Sequence, residues 1–234
     1  MARAIDFEKI GRRAALGLFG GTAAALVADE SAHGAPGTAT SCVLTPNETA
    51  GPFFVDERLE RSDIRSDPTD GTVARGIPLH LALVVSSLRK GTCTPLSGAM
   101  VDIWHCNAVG KYSDVEDDTR GKKFLRGYQR TDGQGRVAFV TIYPGWYPGR
   151  AVHVHFKVRT SNSKNAAVSE FASQLYFDDA TTNRVFADPR YAHAGKRMKN
   201  TDDGLFMGKQ LLLDAQPDAS GTYSASFSIG LQID

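Results

Sequence analysis

Three cysteines, two tryptophans, four methionines and six histidines are all that this chain of 234 residues contains of those types. So few thiols cannot build a disulfide scaffold, and the fold must rest on a hydrophobic core. No charge of either sign dominates, because 27 basic residues stand against 26 acidic ones for a formal net charge of +1. That balance speaks against a nucleic-acid groove or an anionic membrane as partner and points to a small molecule. Internal repeats and low-complexity tracts are absent from the sequence, and 41% hydrophobic with 23% charged residues is the composition of an ordinary globular protein, one domain after processing.

Long hydrophobic runs are also missing. The uncharged stretch from Ala14 to Ala28 follows Arg12-Arg13 and is rich in Gly and Ala. It falls short of the roughly 20 residues that span a bilayer. It reads instead as an export signal of twin-arginine type over residues 1–35, with the mature chain starting near Ala35 in the periplasm or outside the cell. The step after the arginine pair is Ala14-Ala15-Leu16, without the usual aromatic. Cysteine usage agrees with an oxidising destination. Cys42 and Cys93 lie in polar, turn-rich sequence and are expected to pair, leaving Cys106 in an apolar strand. Such a bond closes a loop of about 50 residues and, on the chain-entropy model, stabilises by about 4 kcal/mol. Three free thiols are the alternative.

Residues 36–77 have little periodicity and read as an arm and loop laid over a body formed by residues 78–234. In that body short apolar or β-branched runs recur between turn signals: Leu79–Val85, Ala99–Cys106, Arg126–Arg130, Arg136–Ile142, 152–158, Ser173–Phe177 and Tyr223–Leu231. Helical periodicity is weak, around Ser169 and in Gly204–Leu213. The pattern predicts an all-β sandwich of about seven or more antiparallel strands. Two long irregular segments, Ser113–Leu125 and Asp178–Asp203, exceed ordinary connections and are expected to carry function.

The richest chemistry lies in Pro144-Gly145-Trp146-Tyr147-Pro148-Gly149-Arg150-Ala151-Val152-His153-Val154-His155-Phe156-Lys157-Val158. In an extended chain Val152, Val154, Phe156 and Val158 line one face while His153, His155 and Lys157 line the other. Two imidazoles at i and i+2 can share one metal ion, with Tyr147 and Arg150 supplied by the preceding turn. A solvated His-X-His on an edge strand is the plainer reading. Tyr112 stands where Gly110-Lys111-Tyr112 leaves a strand, and packing at the core edge is the plainer reading of a lone tyrosine there. His105 and Cys106 are adjacent on a strand, point to opposite faces and cannot easily share an ion.

Taken together, Asp102-Ile103-Trp104-His105-Cys106-Asn107-Ala108-Val109-Gly110-Lys111-Tyr112, Thr131-Asp132-Gly133, Pro144-Gly145-Trp146-Tyr147-Pro148, Arg150-Ala151-Val152-His153-Val154-His155-Phe156 and Gln174-Leu175-Tyr176-Phe177 resemble the intradiol ring-cleavage dioxygenases, the protocatechuate and catechol dioxygenase family. The N-terminal Thr45-Pro46-Asn47-Glu48-Thr49-Ala50-Gly51-Pro52-Phe53 is similar to the same family's arm. The resemblance implies a mononuclear non-haem Fe(III) held by Tyr112, Tyr147, His153 and His155. It also implies a small aromatic diol and O2 as partners, with the ring cleaved between its two hydroxyl-bearing carbons to a muconate-type diacid. Tyr147 would leave the metal and act as a base, Arg150 would stabilise developing negative charge, Gln174 would position it, and Trp104 and Trp146 would wall the substrate pocket. The stretch between Tyr147 and His153 is shorter than is typical of the family, which implies a shorter pocket lip. Whether the chain works alone or as a homo-oligomer stays open.

Two other readings compete. A secreted β-sandwich binding module, similar to transthyretin-like domains, needs neither tyrosine. A zinc hydrolase would use His153 and His155 with a carboxylate such as Asp102.

Overall fold

The computed structural model describes residues 43–161, 167–192 and 194–232. The export segment expected at residues 1–35 and Cys42 of the expected disulfide lie outside the described residues; Cys106 is free and buried. No helix among the described residues is long and apolar enough to cross a membrane.

Ten strands follow in chain order: β1 (Pro78–Arg89), β2 (Thr92–Pro95), β3 (Met100–Trp104), β4 (Arg126–Arg130), β5 (Arg136–Ile142), β6 (His153–Ser161), β7 (Ala167–Phe177), β8 (Leu212–Leu213), β9 (Gln216–Pro217) and β10 (Tyr223–Gln232). They form two five-stranded sheets. In the first, β10 runs along one edge of β1 and continues to β9, while the other edge of β1 is shared by β5 and β2. The second has the order β4-β3-β6-β7-β8. Alternation sorts the side chains as the sequence predicts. Leu79, Leu81, Leu83 and Val85 of β1 meet Val154, Phe156 and Val158 of β6 in one continuous core.

The sandwich is as read, but not every pairing is antiparallel. β1 and β10 pair in parallel over ten residues, and β7 pairs β8 in parallel. Parallel neighbours need a long crossover, and nearly the whole domain lies between β1 and β10. The weak helical pattern around Ser169 gives way to strand, because β7 pairs β6 from Ser161↔Ala167 to His153↔Tyr176 and that ladder outweighs local propensity. Gly204–Leu213 holds only a 3-10 turn, Gly208–Leu211, before β8. The 178–203 segment contains helix α1 (Asp179–Val185), capped where Thr181 N donates to the Asp178 carboxylate at 2.9 Å.

The arm starts against β10 of the first sheet and crosses the outer face of the second. Thr45 N donates to Gly230 O (2.9 Å), Glu48 N to Ala172 O (3.0 Å) and Arg61 N to Tyr128 O (3.0 Å), so residues 45–61 lie across β10, β7 and β4 in turn.

Candidate active site

β6 sits in the middle of the second sheet, which fixes the surroundings of both histidines through register. His155 lies opposite Trp104 on one side and Gln174 on the other, and His153 lies opposite Tyr176. The Trp104 and His155 rings are stacked, 4.9 Å apart at 2°. The face is not solvated. His153 is 2% and His155 1% exposed, because the arm turns over them. Gly51, at φ +68°, makes that approach, and a Cβ there would meet His155 Cε1 at 3.2 Å.

Two loops bring in the phenols. Asn107 closes the first, its side-chain oxygen accepting from Val109 N (3.1 Å) and Lys111 N (2.9 Å), which turns the chain so that Tyr112 points back under the sheet. Gly145 N donates to Asn107 O at 3.1 Å and joins that loop to the one carrying Tyr147. Gly110, at φ +84°, packs against the same backbone, and any Cβ there would drive into the Trp146 carbonyl. The two phenol rings lie 5.6 Å apart, edge to face. Phe53 of the arm packs on both, 4.7 Å from Tyr112 and 5.8 Å from Tyr147. Arg126 locks this arrangement from beneath. Its buried guanidinium donates to Phe53 O (2.6 Å), Ser113 O (2.6 Å) and Ser113 Oγ (2.8 Å) and lies 5.9 Å from the Tyr112 ring centroid.

Four donor atoms therefore converge. His153 Nε2 is 3.0 Å from His155 Nε2, 3.3 Å from Tyr147 Oη and 3.4 Å from Tyr112 Oη. The Ala151 carbonyl, 2.6 Å from His153 Nδ1, accepts the ring proton there and leaves Nε2 with its lone pair towards the others. His155 Nδ1 is buried without a partner, and the ring is fixed by stacking instead. Burial, reinforced by Arg150, pushes His153 down to about 3, and burial with His153 beside it holds His155 well below its ordinary value. Both are neutral donors at physiological pH. Burial also raises both phenols, Tyr112 well above 10, and Arg150 opposes the rise at Tyr147. Separations of 3.0 to 3.4 Å are those of neighbouring donors each about 2 Å from one ion. Two neutral imidazoles and two phenols that ionise only beside a strong cation are a set suited to a hard trivalent metal.

Arg150 borders this centre. Nε donates to Asp203 Oδ2 (3.0 Å) and Nη2 to Gln174 Oε1 (2.6 Å) and Tyr176 Oη (3.1 Å). The predicted Tyr112, Tyr147, Arg150, His153, His155, Gln174 and Trp104 thus come together. Trp146 does not. It packs in the main core, its ring beside Gly195. Asp102 is held by Arg159 at 2.6 Å, and among the described residues no three His, Cys, Asp or Glu side chains gather as a metal site, so the zinc alternative finds no carboxylate. His105 is buried and satisfied by Thr141 Oγ1 (2.7 Å) and Cys106 O (2.8 Å).

Glu48, Phe53, Arg126, Tyr176 and Asp203 escaped the sequence reading as site residues. For Tyr176 a signal existed: it stands at i+2 from Gln174, on the same face of a strand. The others reach the centre only through long-range contacts.

A family model described as Dioxygenase matches residues 50–215. The chain is 35% identical over 124 residues to the protocatechuate 3,4-dioxygenase beta chain of Burkholderia cepacia, covering 47% of this chain and 51% of that one. It is 27% identical over 167 residues to catechol 1,2-dioxygenase 1 of Acinetobacter lwoffii, covering 58% and 49%. The chain spans about half the length of these curated relatives. Among solved structures, an intradiol ring-cleavage dioxygenase from Tetranychus urticae superposes with a TM-score of 0.69 at 30% identity, over 82% of this chain and 95% of that one. Built around a paired-histidine strand and two converging phenols, and matched by that model over most of its length, the chain belongs to the intradiol ring-cleavage dioxygenase family.

Proposed function

We propose that the protein cleaves a catechol-type ring between its two hydroxyl-bearing carbons with O2, using one ferric ion held by Tyr112, Tyr147, His153 and His155. The observation that carries this reading is the convergence of those four donors in a buried pocket. A ferric ion bound there supplies the positive charge that ionises both phenols and a diol and brings the diol together with dioxygen.

The chain's own groups divide the remaining work. His153 and His155 are fixed, neutral donors on a central strand. Tyr112 is enclosed and suits a permanent ligand, whereas Tyr147 is half-buried beside Arg150 and suits a ligand that lets go and takes a proton from a diol hydroxyl. Arg150, held by Asp203, Gln174 and Tyr176, is a preorganised cation where negative charge grows on the ring. Trp104 and Phe53 close the walls and exclude water.

A visible absorption spectrum, taken with and without catechol under nitrogen, tests the reading. We expect a broad phenolate-to-iron band that shifts on adding catechol, followed by oxygen uptake when air is admitted. A protein that stays colourless after ferric reconstitution overturns it. Export directed by residues 1–35 and a Cys42–Cys93 bond belong to the same proposal; N-terminal sequencing of the mature protein and non-reducing peptide mapping check them.

A further inference from the structure

Arg150 has three acceptors, and they are not equivalent. Asp203 is a carboxylate, 5% exposed, which also takes Ala151 N at 2.9 Å, and it needs no help to accept. Gln174 and Tyr176 are neutral groups that can donate as well as accept. Each is oriented to accept from Arg150 when its own donor is engaged elsewhere. The N-terminal arm engages both. Gln174 Nε2 donates to Thr49 O (3.3 Å), and the Tyr176 hydroxyl donates to Glu48 Oε2 (3.1 Å).

We propose that Glu48 is a positioning residue: by accepting the Tyr176 hydrogen bond it turns the Tyr176 oxygen towards Arg150 and holds that guanidinium at the site. The activity expected of it rests on the dioxygenase reading; the link to Arg150 does not. A simple tether between arm and sheet leaves two facts unexplained. Glu48 Oε1 is buried with no partner, which is a costly way to fasten a loop. Burial also pushes the Glu48 carboxyl up to about 7, against the Tyr176 hydrogen bond and Arg150, with Asp203 adding to the rise. Near neutral pH the group therefore exchanges between a carboxylate, which can only accept, and an acid, which can donate to Tyr176 and compete with Arg150. The charged and titratable groups facing it are Tyr176 on β7, Arg150 on the turn before β6 and Asp203 from the 178–203 segment.

The test follows the Arg150 Nε–H signal in metal-free, 15N-arginine-labelled protein from pH 5.5 to 8.5, identified by its loss in Arg150→Lys. The wild-type signal is expected to shift with a midpoint near 7, and Glu48→Gln, which still accepts from Tyr176 but does not titrate, to abolish that shift. Tyr176→Phe severs the same link and should also flatten the titration. In iron-loaded protein, kcat/KM should rise through the same midpoint; Glu48→Gln should lose that rise while keeping the rate at pH 8, and Tyr176→Phe should lose about tenfold of the rate at pH 8 with iron retained. An Arg150 signal that does not move in wild type, or that moves equally in Glu48→Gln, overturns the proposal whether or not the protein cleaves catechol. Wild type without an iron band or oxygen uptake defeats the dioxygenase reading instead, and the metal-free titration still decides the role of Glu48.

Discussion

Removing either imidazole from the converging set takes away a neutral donor that no nearby side chain can replace, since His155 is walled by Trp104 and the arm and His153 by Tyr176. His153→Ala and His155→Ala should fold and lose iron, measured as metal per chain after purification. Tyr112→Phe should retain iron weakly and lose part of the charge-transfer band. Arg150→Ala should keep the metal and its colour but lose rate, tenfold for each 1.4 kcal/mol or so of transition-state stabilisation removed. Full iron content in His153→Ala, or an unchanged rate in Arg150→Ala, contradicts these roles. At this scale the pairing of His153 with His155 was legible in strand alternation, while the approach of Tyr112 and Tyr147 to them was implied only by the resemblance. Glu48, Arg126 and Asp203 were not legible, because nothing local distinguishes a carboxyl or guanidinium that meets the site from one that meets solvent. Trp146, next to a site residue in sequence, packs in the main core, and nothing in its local sequence separates the two placements.

Among the elements, the two tyrosine loops matter as a pair. They are stitched where Gly145 N donates to Asn107 O and where Gly110 lies against the Trp146 carbonyl. Gly110→Ala puts a side chain both at φ +84° and into that carbonyl, a strain of about 1–3 kcal/mol for the backbone alone. It should lower Tm by several degrees and loosen iron retention, because both phenols shift together; a variant with wild-type Tm and metal content would mean the loops are not coupled. The strands were foreseen wherever apolar alternation is strong. They were missed where pairing overrides local preference: β7 begins at Ala167 because β6 offers it a ladder, and β2, β8 and β9 are too short to carry a pattern. The arm was foreseen as covering something, while its engagement with Tyr112, Tyr147, Gln174 and Tyr176 depends on where distant segments meet.

For the molecule as a whole, several buried histidines set the response to acid. Burial holds His105 down to about 4 and His153 to about 3, against 6.5 as the ordinary value. The unfolded chain binds protons at these rings below about 6.5 while the folded one refuses them. Stability from these groups is therefore fully present above about 6.5 and lost as pH falls towards 4 and 3. Tm of the metal-free protein should decline from pH 6.5 downwards, and Thr141→Val, which leaves His105 Nε2 without its partner, should lower the whole curve. A Tm that is flat between pH 6.5 and 4 would show that these imidazoles are charged in the fold. The sandwich class was readable from turn spacing, but the parallel pairing of β1 with β10 was not, because neither strand carries a mark of its partner.

That pairing bears on synthesis. From Leu79↔Tyr223 to Leu88↔Gln232, the first long strand to leave the ribosome finds its neighbour only in the last. Until then β1 has β5 and β2 along one edge and a bare ladder of amides along the other, the exposure that favours aggregation of nascent β proteins. Translation that stalls before Tyr223 should accordingly yield insoluble or chaperone-held fragments rather than a smaller folded unit, and the domain should fold only once β10 is free to pair, at the slow rate that distant pairings impose.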